Sequence, residues 1–359
     1  MGFIPESHTA AKISHQPREY RPGESEQIAN FFSNFSGPST PATVEYRNWK
    51  YEINPFGRPV LHLIEIGNDI AGIVSVVPKP LRVRGEAVRG GELGDVYTHP
   101  AHQRKGISGT LLRSTIESAL AAQLSIVYGV PNEIALPGEL KVGYELCPYA
   151  QVQKLFLPLD WAAVMATRAK SGALATALGL PMRLMASLRH SRPRLRHSVL
   201  TASDVPDGMD SFWERSCSRF DFLIDRTPTY LDWRFFKHSK KREYRFQIVR
   251  DGQKVVAYSV STIASAGQLV HGHIVDYFCD ESFPEALESL LANLLQEFSL
   301  AGVHGVHLWT VASEAAWFRR FGFLLRGEKP IISYGNEAGK ELARSQLRWF
   351  FTEGDSDNI

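Results

Sequence analysis

Cysteine, net charge and long apolar runs are all scarce in this sequence. Three cysteines, Cys147, Cys217 and Cys279, are scattered over 359 residues without the paired spacing of a redox or metal motif. A disulfide scaffold is therefore excluded, no metal site is expected, and each thiol reads as a small apolar filler. Lysine plus arginine number 40 against 38 aspartates and glutamates. The chain is no polycation, a nucleic-acid partner is not expected, and any anion site must come from local clustering. No apolar run is long enough to span a bilayer. The first residues, "MGFIPESHTAAKISHQPREY", lack the apolar centre of a signal peptide, so a cytoplasmic location is the expectation.

What is present suits a folded protein of two domains: 44% hydrophobic and 22% charged residues over a length that can bury two cores. The organisation follows from an internal repeat. "YRNWKY" at 46–51 returns as "YLDWRF" at 230–235, and "GELGDVYT" is echoed by "GHIVDYFC", which aligns Asp95 with Asp276. The offset stays near 180, the mark of a tandem duplication rather than a short solenoid. Each copy reads as strands around glycine turns, a helix (about Gly106 to Ala122, then about Pro284 to Leu300), a strand and a closing "GYEL" or "GFLL". Trp49 and Trp233 recur in equivalent places and are expected as core anchors; Lys50 and Arg234 beside them suit either core or site. Between the copies lies an Ala- and Leu-rich stretch, expected to be helical. From Trp161 to His197 it carries Arg168, Lys170, Arg183, Arg189, Arg192, Arg194 and Arg196 and no acidic residue. It reads as a solvated basic face or as a patch for an anionic surface.

The run "HPAHQRKGISGTLL" (99–112) stands where a strand ends and a helix begins. A helix N-terminus presents backbone N–H groups without internal partners, which favour an anion. Gly106 lets backbone approach such a group closely, and His102, Arg104, Lys105 and Arg113 add charge. These local features leave two readings open, an ordinary basic turn and a phosphate cradle.

The spacing adds to them. Gln103-Arg104-Lys105-Gly106-Ile107-Ser108 fits Gln/Arg-x-x-Gly-x-Gly/Ala with serine at the last small position, and "NEIALPGELKVGY" supplies Asn132, Ala135, Lys141, Gly143 and Tyr144 in register with Asn-x-x-Ala-x-x-x-Tyr-x-Lys-x-Gly-Phe. Together they resemble the GNAT N-acetyltransferase superfamily over about residues 18–158. The resemblance implies an α+β fold of two tandem GNAT-like domains, each a mixed, mostly antiparallel sheet flanked by helices. The expected division is a tail (1–17), an acyl-CoA-binding domain (18–158), a basic helical connector (159–197) and a degenerate second copy (198–352).

It also implies acetyl-CoA, or another acyl-CoA, as cofactor, held by Val96, Tyr97, Thr98, Gln103, Arg104, Lys105, Gly106, Ile107, Ser108, Gly109 and Asn132. The acceptor would be an amine on a small molecule or peptide. Asp95 is the first candidate for the base and Glu92 the second, although the recurrence of Asp95 as Asp276 equally suits a structural role. The family's acidic tyrosine is replaced by Glu139. A glutamate could do that work only if burial raised its pKa; the expectation is a surface Glu139, with water or Tyr144 supplying the proton and Tyr128 in reserve. The second copy has Glu281, Ser282, Phe283 and Pro284 where the loop should be and is expected not to bind CoA. Two other readings remain: an acyl-CoA sensor or scaffold without catalysis, and an aminoacyl transferase of the peptidoglycan-bridge type.

Overall fold

The computed structural model describes residues 16–34, 43–166, 191–240, 243–335 and 337–356. The front half builds α1 (Ser25–Ser33), α2 (Val44–Tyr51), α3 (Ile107–Ala121), α4 (Leu136–Lys141) and α5 (Trp161–Ala166). Its strands are β1 (Arg18–Glu19), β2 (Val60–Ile66), β3 (Asp69–Val83), β4 (Glu86–Thr98), β5 (Ile126–Gly129), β6 (Glu145–Leu146) and β7 (Val152–Pro158). The rear half builds α6 (Met209–Ser216), α7 (Pro228–Leu231), α8 (Pro284–Leu300), α9 (Ala312–Arg319) and α10 (Glu337–Arg344). Its strands are β8 (Val199–Ala202), β9 (Phe222–Ile224), β10 (Arg245–Asp251), β11 (Lys254–Ala266), β12 (Leu269–Cys279), β13 (Gly305–Val311), β14 (Leu324–Lys329) and β15 (Ile332–Gly335).

The strands form two mixed, mostly antiparallel sheets flanked by helices, which is the α+β class expected from the motifs. One runs β1-β2-β3-β4-β5-β15-β6, with β9 also on β3; the other runs β14-β7-β13-β12-β11-β10-β8. The halves therefore trade strands. β15, from the rear half, pairs antiparallel with both β5 and β6. β7, from the front half, lies between β13 and β14.

The repeat shows itself at the contact between the halves. Trp49 and Trp233 stack with ring centroids 4.8 Å apart and planes 13° from parallel. Each indole N–H donates to the other's backbone carbonyl, at 2.8 and 3.2 Å. Both are buried, as expected of core anchors. A single apolar cluster runs from Tyr46 and Trp49 through Tyr128, Val152 and Leu155 to Trp233, Phe350 and Phe351.

Helix α3 follows from its pattern. Ile107, Leu111, Leu112, Thr115, Ile116 and Ala119 fall on one buried face. That face packs on β3 at Gly72, where a Cβ would meet Ile107 Cγ2 at 2.8 Å. The absence of a side chain there draws the start of α3 against the sheet, which fixes the basic run beside the end of β4.

Of the connector, Trp161–Ala166 is helical and 191–197 has no regular structure. Arg192, Arg194 and Arg196 are exposed, and the backbone N–H groups of Arg194 and Arg196 donate to Glu288 and Ser289 of α8. Arg168, Lys170, Arg183 and Arg189 lie outside the described residues. Among the described residues no helix is long and apolar enough to cross a membrane.

Candidate acyl-transfer site

Strands β4 and β5 run parallel and pair at Gly90–Ile126, Gly91–Val127 and Glu92–Tyr128, then separate. β4 continues to Thr98 while β5 ends at Gly129. A cavity of about 320 Å³ opens in the split, lined by β4 from Glu92 to Tyr97, the segment Gly129–Asn132, Glu139, and Arg47, Lys50 and Lys329. Backbone groups on the vacated edge of β4 have lost their neighbouring strand, and the cavity lets another group take its place.

Immediately after β4 the basic run turns. His99 Nδ1 accepts from Ala101 N at 3.0 Å and Gln103 Nε2 donates to Thr98 O at 3.4 Å, which holds the turn against the strand. Arg104 (φ 62) and Gly106 (φ 83) adopt left-handed backbone. Gly106 is the N-cap of α3 and has open space where a side chain would stand. Its carbonyl takes the N–H and hydroxyl of Thr110. The N–H groups of Ile107, Ser108 and Gly109 open the helix with no helical carbonyl behind them. Arg104 and Lys105 are exposed beside them, and Lys105 Nζ lies 3.3 Å from His102 Nδ1. Val96, Tyr97 and Thr98 lead straight into this turn; Tyr97 packs edge-on against Phe31 at 5.7 Å. Asn132 lines the cavity, and its Oδ1 accepts from the N–H groups of Ile134 (3.0 Å) and Ala135 (2.8 Å) just before α4.

Asp95 sits on a β-bulge. Gly94 faces Ser75 and Tyr97 faces Ile73, so Asp95 and Val96 together oppose Val74. With φ at 51° its backbone is left-handed, and the bulge aims its carboxylate inward. There it accepts from Arg47 (2.9 Å), Lys50 (2.7 Å), Tyr51 (2.6 Å) and Ser75 (2.8 Å). Burial favours the neutral acid, but the two cations and the hydrogen bonds outweigh it and hold the carboxyl far below the usual carboxylate range. A carboxylate so satisfied is a weak proton acceptor. Its rear-half counterpart, Asp276, is likewise buried, on Arg226 (3.0 Å) and Tyr258 (2.7 Å). Glu92, the second base candidate, is buried in an ion pair with Lys79, whose ammonium also donates to the Asp355 carbonyl at 3.1 Å.

Glu139 departs from expectation. It is not at the surface: it is 3% exposed, while Leu140 is 37% and Ile134 92% exposed. The short α4 thus turns its acid inward and its apolar neighbours outward, the reverse of an ordinary surface helix. Glu139 lines the cavity, and its Oε2 is buried with no hydrogen-bond partner among the described residues. Burial pushes its pKa up to about 7. Tyr144 is buried outside the cavity lining, against Tyr334 (5.3 Å), and burial and the nearby Glu139 raise its phenol well above the ordinary value. The Tyr128 hydroxyl donates to the Asp355 carbonyl at 2.9 Å.

Arg47, Lys79 and Lys329 escaped the sequence reading. Lys79 left a trace, a charge inside the apolar run "VVPKPL". Lys329 left none, because it arrives from the rear half.

In the rear half the corresponding strand pair is covered among the described residues. β12 and β13 also pair in parallel, from His271–Gly305 to Ile274–Leu308. Beyond that, residues 352–356 come down on them: Thr352 Oγ1 donates to Asp276 at 2.8 Å, Arg226 bridges Asp276 and Asp355, and Glu353 meets His273 at 3.2 Å.

The front half thus presents a split parallel strand pair with a glycine turn at its mouth. Residues 16–147 match the family model described as "Acetyltransferase (GNAT) domain". Three solved structures share the fold over most of both chains. A GCN5-related N-acetyltransferase from Anabaena variabilis is 12% identical with a TM-score of 0.62, covering 89% of this chain and 72% of that one. A probable N-acyltransferase from Enterococcus faecalis is 11% identical with a TM-score of 0.61, covering 89% and 72%. The Saccharomyces cerevisiae N-myristoyltransferase with bound myristoyl-CoA is 12% identical with a TM-score of 0.62, covering 90% and 79%. A search of curated proteins by sequence gave no match.

Proposed function

We propose that this protein is an acyl-CoA-dependent N-acyltransferase working on a primary amine, with its reaction centre in the front half. The observation that carries this reading is the open edge of β4 with a protonatable carboxyl, Glu139, in the same cleft; the strand then leads through Thr98 and the basic turn to the amides that open α3 at Ile107–Gly109. The fit to CoA rests on the left-handed Gly106 with open space beside it and on Arg104 and Lys105 flanking it. The amides of 107–109 and these two side chains would hold the diphosphate, and the edge of β4 from Val96 to Thr98 the pantetheine arm. The cofactor supplies a thioester carbonyl, the electrophile for the amine.

The chain's own groups do the rest. N–H groups on the vacated edge of β4 favour negative charge on an oxygen placed in the cleft. Glu139, protonated up to about pH 7, is the proton donor of the cleft, in the place where the family pattern has tyrosine. Asp95 anchors Arg47 and Lys50 in the wall and is not assigned the role of base. The charged lining, Lys50, Asp95, Glu92 and Lys329, suits acetyl or another short acyl group better than a long apolar chain.

Calorimetry with coenzyme A tests the reading. Wild type is expected to bind, and Gly106→Val to bind at least about tenfold more weakly, since a β-branched residue resists positive φ. Release of free thiol from acetyl-CoA over a panel of amines then tests turnover. Absence of heat from coenzyme A overturns the proposal. Binding without turnover of any amine leaves a sensor in its place.

A further inference from the structure

The cleft does not end at Glu139. Past Pro131 and Asn132 it meets a second cavity of about 440 Å³, whose charged lining is Lys154 and Lys329 together with Glu133 and Glu328. Lys329 belongs to both cavities. Lys154 comes from β7 and Lys329 from β14, so the exchange of strands between the halves brings the two together. They converge on Trp309 of β13, with the ammonium nitrogens 5.2 and 4.9 Å from its ring centroid.

The carboxylates around them are directed elsewhere or lie at the rim. Among the described residues neither lysine forms an ion pair. Of the nearby acids, Glu328 is turned to Gln153 Nε2 at 2.8 Å, and Glu353 is bonded to His273. Glu133 is exposed on the rim. Burial and the neighbouring Lys154 lower the proton affinity of Lys329, with Glu353 only partly offsetting them. Two ammonium groups held on one indole repel each other, and an anion placed between them relieves that repulsion.

We propose that Lys154 and Lys329 form a subsite for an anionic group of the acceptor, so that the amines acylated here carry a carboxylate or a phosphate a short distance from the reacting nitrogen. The proposal rests on the N-acyltransferase reading. It adds what the acceptor must look like: its charged end sits on the two lysines and its amine reaches back toward the β4 edge and Glu139.

Matched acceptors test it: glycine against glycinamide for a carboxylate, and phosphoethanolamine against ethanolamine or glucosamine 6-phosphate against glucosamine for a phosphate. The charged member of at least one pair is expected to have the higher kcat/KM by roughly ten- to a hundredfold, with the carboxylate and phosphate arms showing which anion is used. In Lys154→Met and Lys329→Met that ratio is expected to fall toward one through a rise in KM for the charged member, and Lys329→Arg to restore part of it. A second readout needs no turnover. Labelling of Lys154 and Lys329 by acetic anhydride, followed by mass spectrometry of the whole protein, is expected to slow in the presence of inorganic phosphate or acetate relative to chloride at equal ionic strength. Equal rates for charged and neutral members, or a preference that survives both substitutions, overturns the subsite while leaving the acyltransferase standing. If no amine is turned over, labelling decides: protection by either anion supports the subsite, and its absence overturns it.

Discussion

A carboxyl that titrates near neutrality inside a cleft can give up a proton where an ordinary glutamate, already ionised, cannot. Glu139 has this property because nothing polar holds its Oε2, and burial then favours the neutral acid. Asp95, on β4 in the lining of the same cleft, is driven the other way by Arg47 and Lys50. Two carboxyls in one cavity are thus separated in affinity by their partners, and only one of them exchanges a proton at physiological pH. For Glu139→Gln we expect kcat to fall by about 10²–10⁴, and the descending limb near pH 7 in wild-type kcat to vanish. Stability should move oppositely. The folded pKa, about 7, lies above the ordinary 4.5, so wild type loses stability as pH rises between those values and then levels off. Thermal denaturation should show Glu139→Gln gaining on wild type across that window, by one to a few kcal/mol at pH 8, with no gain below pH 4. A variant as active as wild type removes Glu139 from the mechanism, and a gain over wild type no larger at pH 8 than at pH 4 removes its raised proton affinity.

The elements explain why, among the described residues, the parallel strand pair is open in the front half and covered in the rear. β4 and β5 part after Glu92 and leave an edge open; β12 and β13 part after Ile274, and residues 352–356 lie against them. The beginning of α3 offers Gly106 and basic neighbours, whereas α8 begins after Asp280 and Glu281, with Pro284 in its first turn. The repeated tryptophans keep the two copies in register. Trp49→Phe and Trp233→Phe each remove one of the two reciprocal hydrogen bonds and leave a buried carbonyl of the other copy without its donor. Each is expected to cost about 1–3 kcal/mol in urea denaturation. The double-mutant cycle should show coupling of roughly 0.5–3 kcal/mol; strict additivity would mean that the stack is incidental.

At the scale of the whole molecule, the exchange of β7 and β15 makes each sheet depend on the other half of the chain, and one apolar cluster crosses between them. Urea unfolding followed by tryptophan fluorescence and by far-ultraviolet circular dichroism is therefore expected to give one coincident transition. Two separated transitions would show that the halves hold themselves together independently.

Much of this was legible in the residues. The duplication was read from "YRNWKY" and "YLDWRF", the basic turn from Gln103 to Gly109 with its flanking strand and helix, and the place of Glu139 from its spacing to Asn132 and Gly143. Such features depend on neighbours in sequence: the period of a strand, the amides of a helix start, the backbone freedom of one glycine. The burial of Glu139, the four donors around Asp95 and the arrival of Lys329 beside Lys154 were decided by tertiary structure alone. A carboxyl's proton affinity depends on which groups stand within a few ångströms: for Asp95 they come from α2 and β3, and for Glu139 burial acts alone.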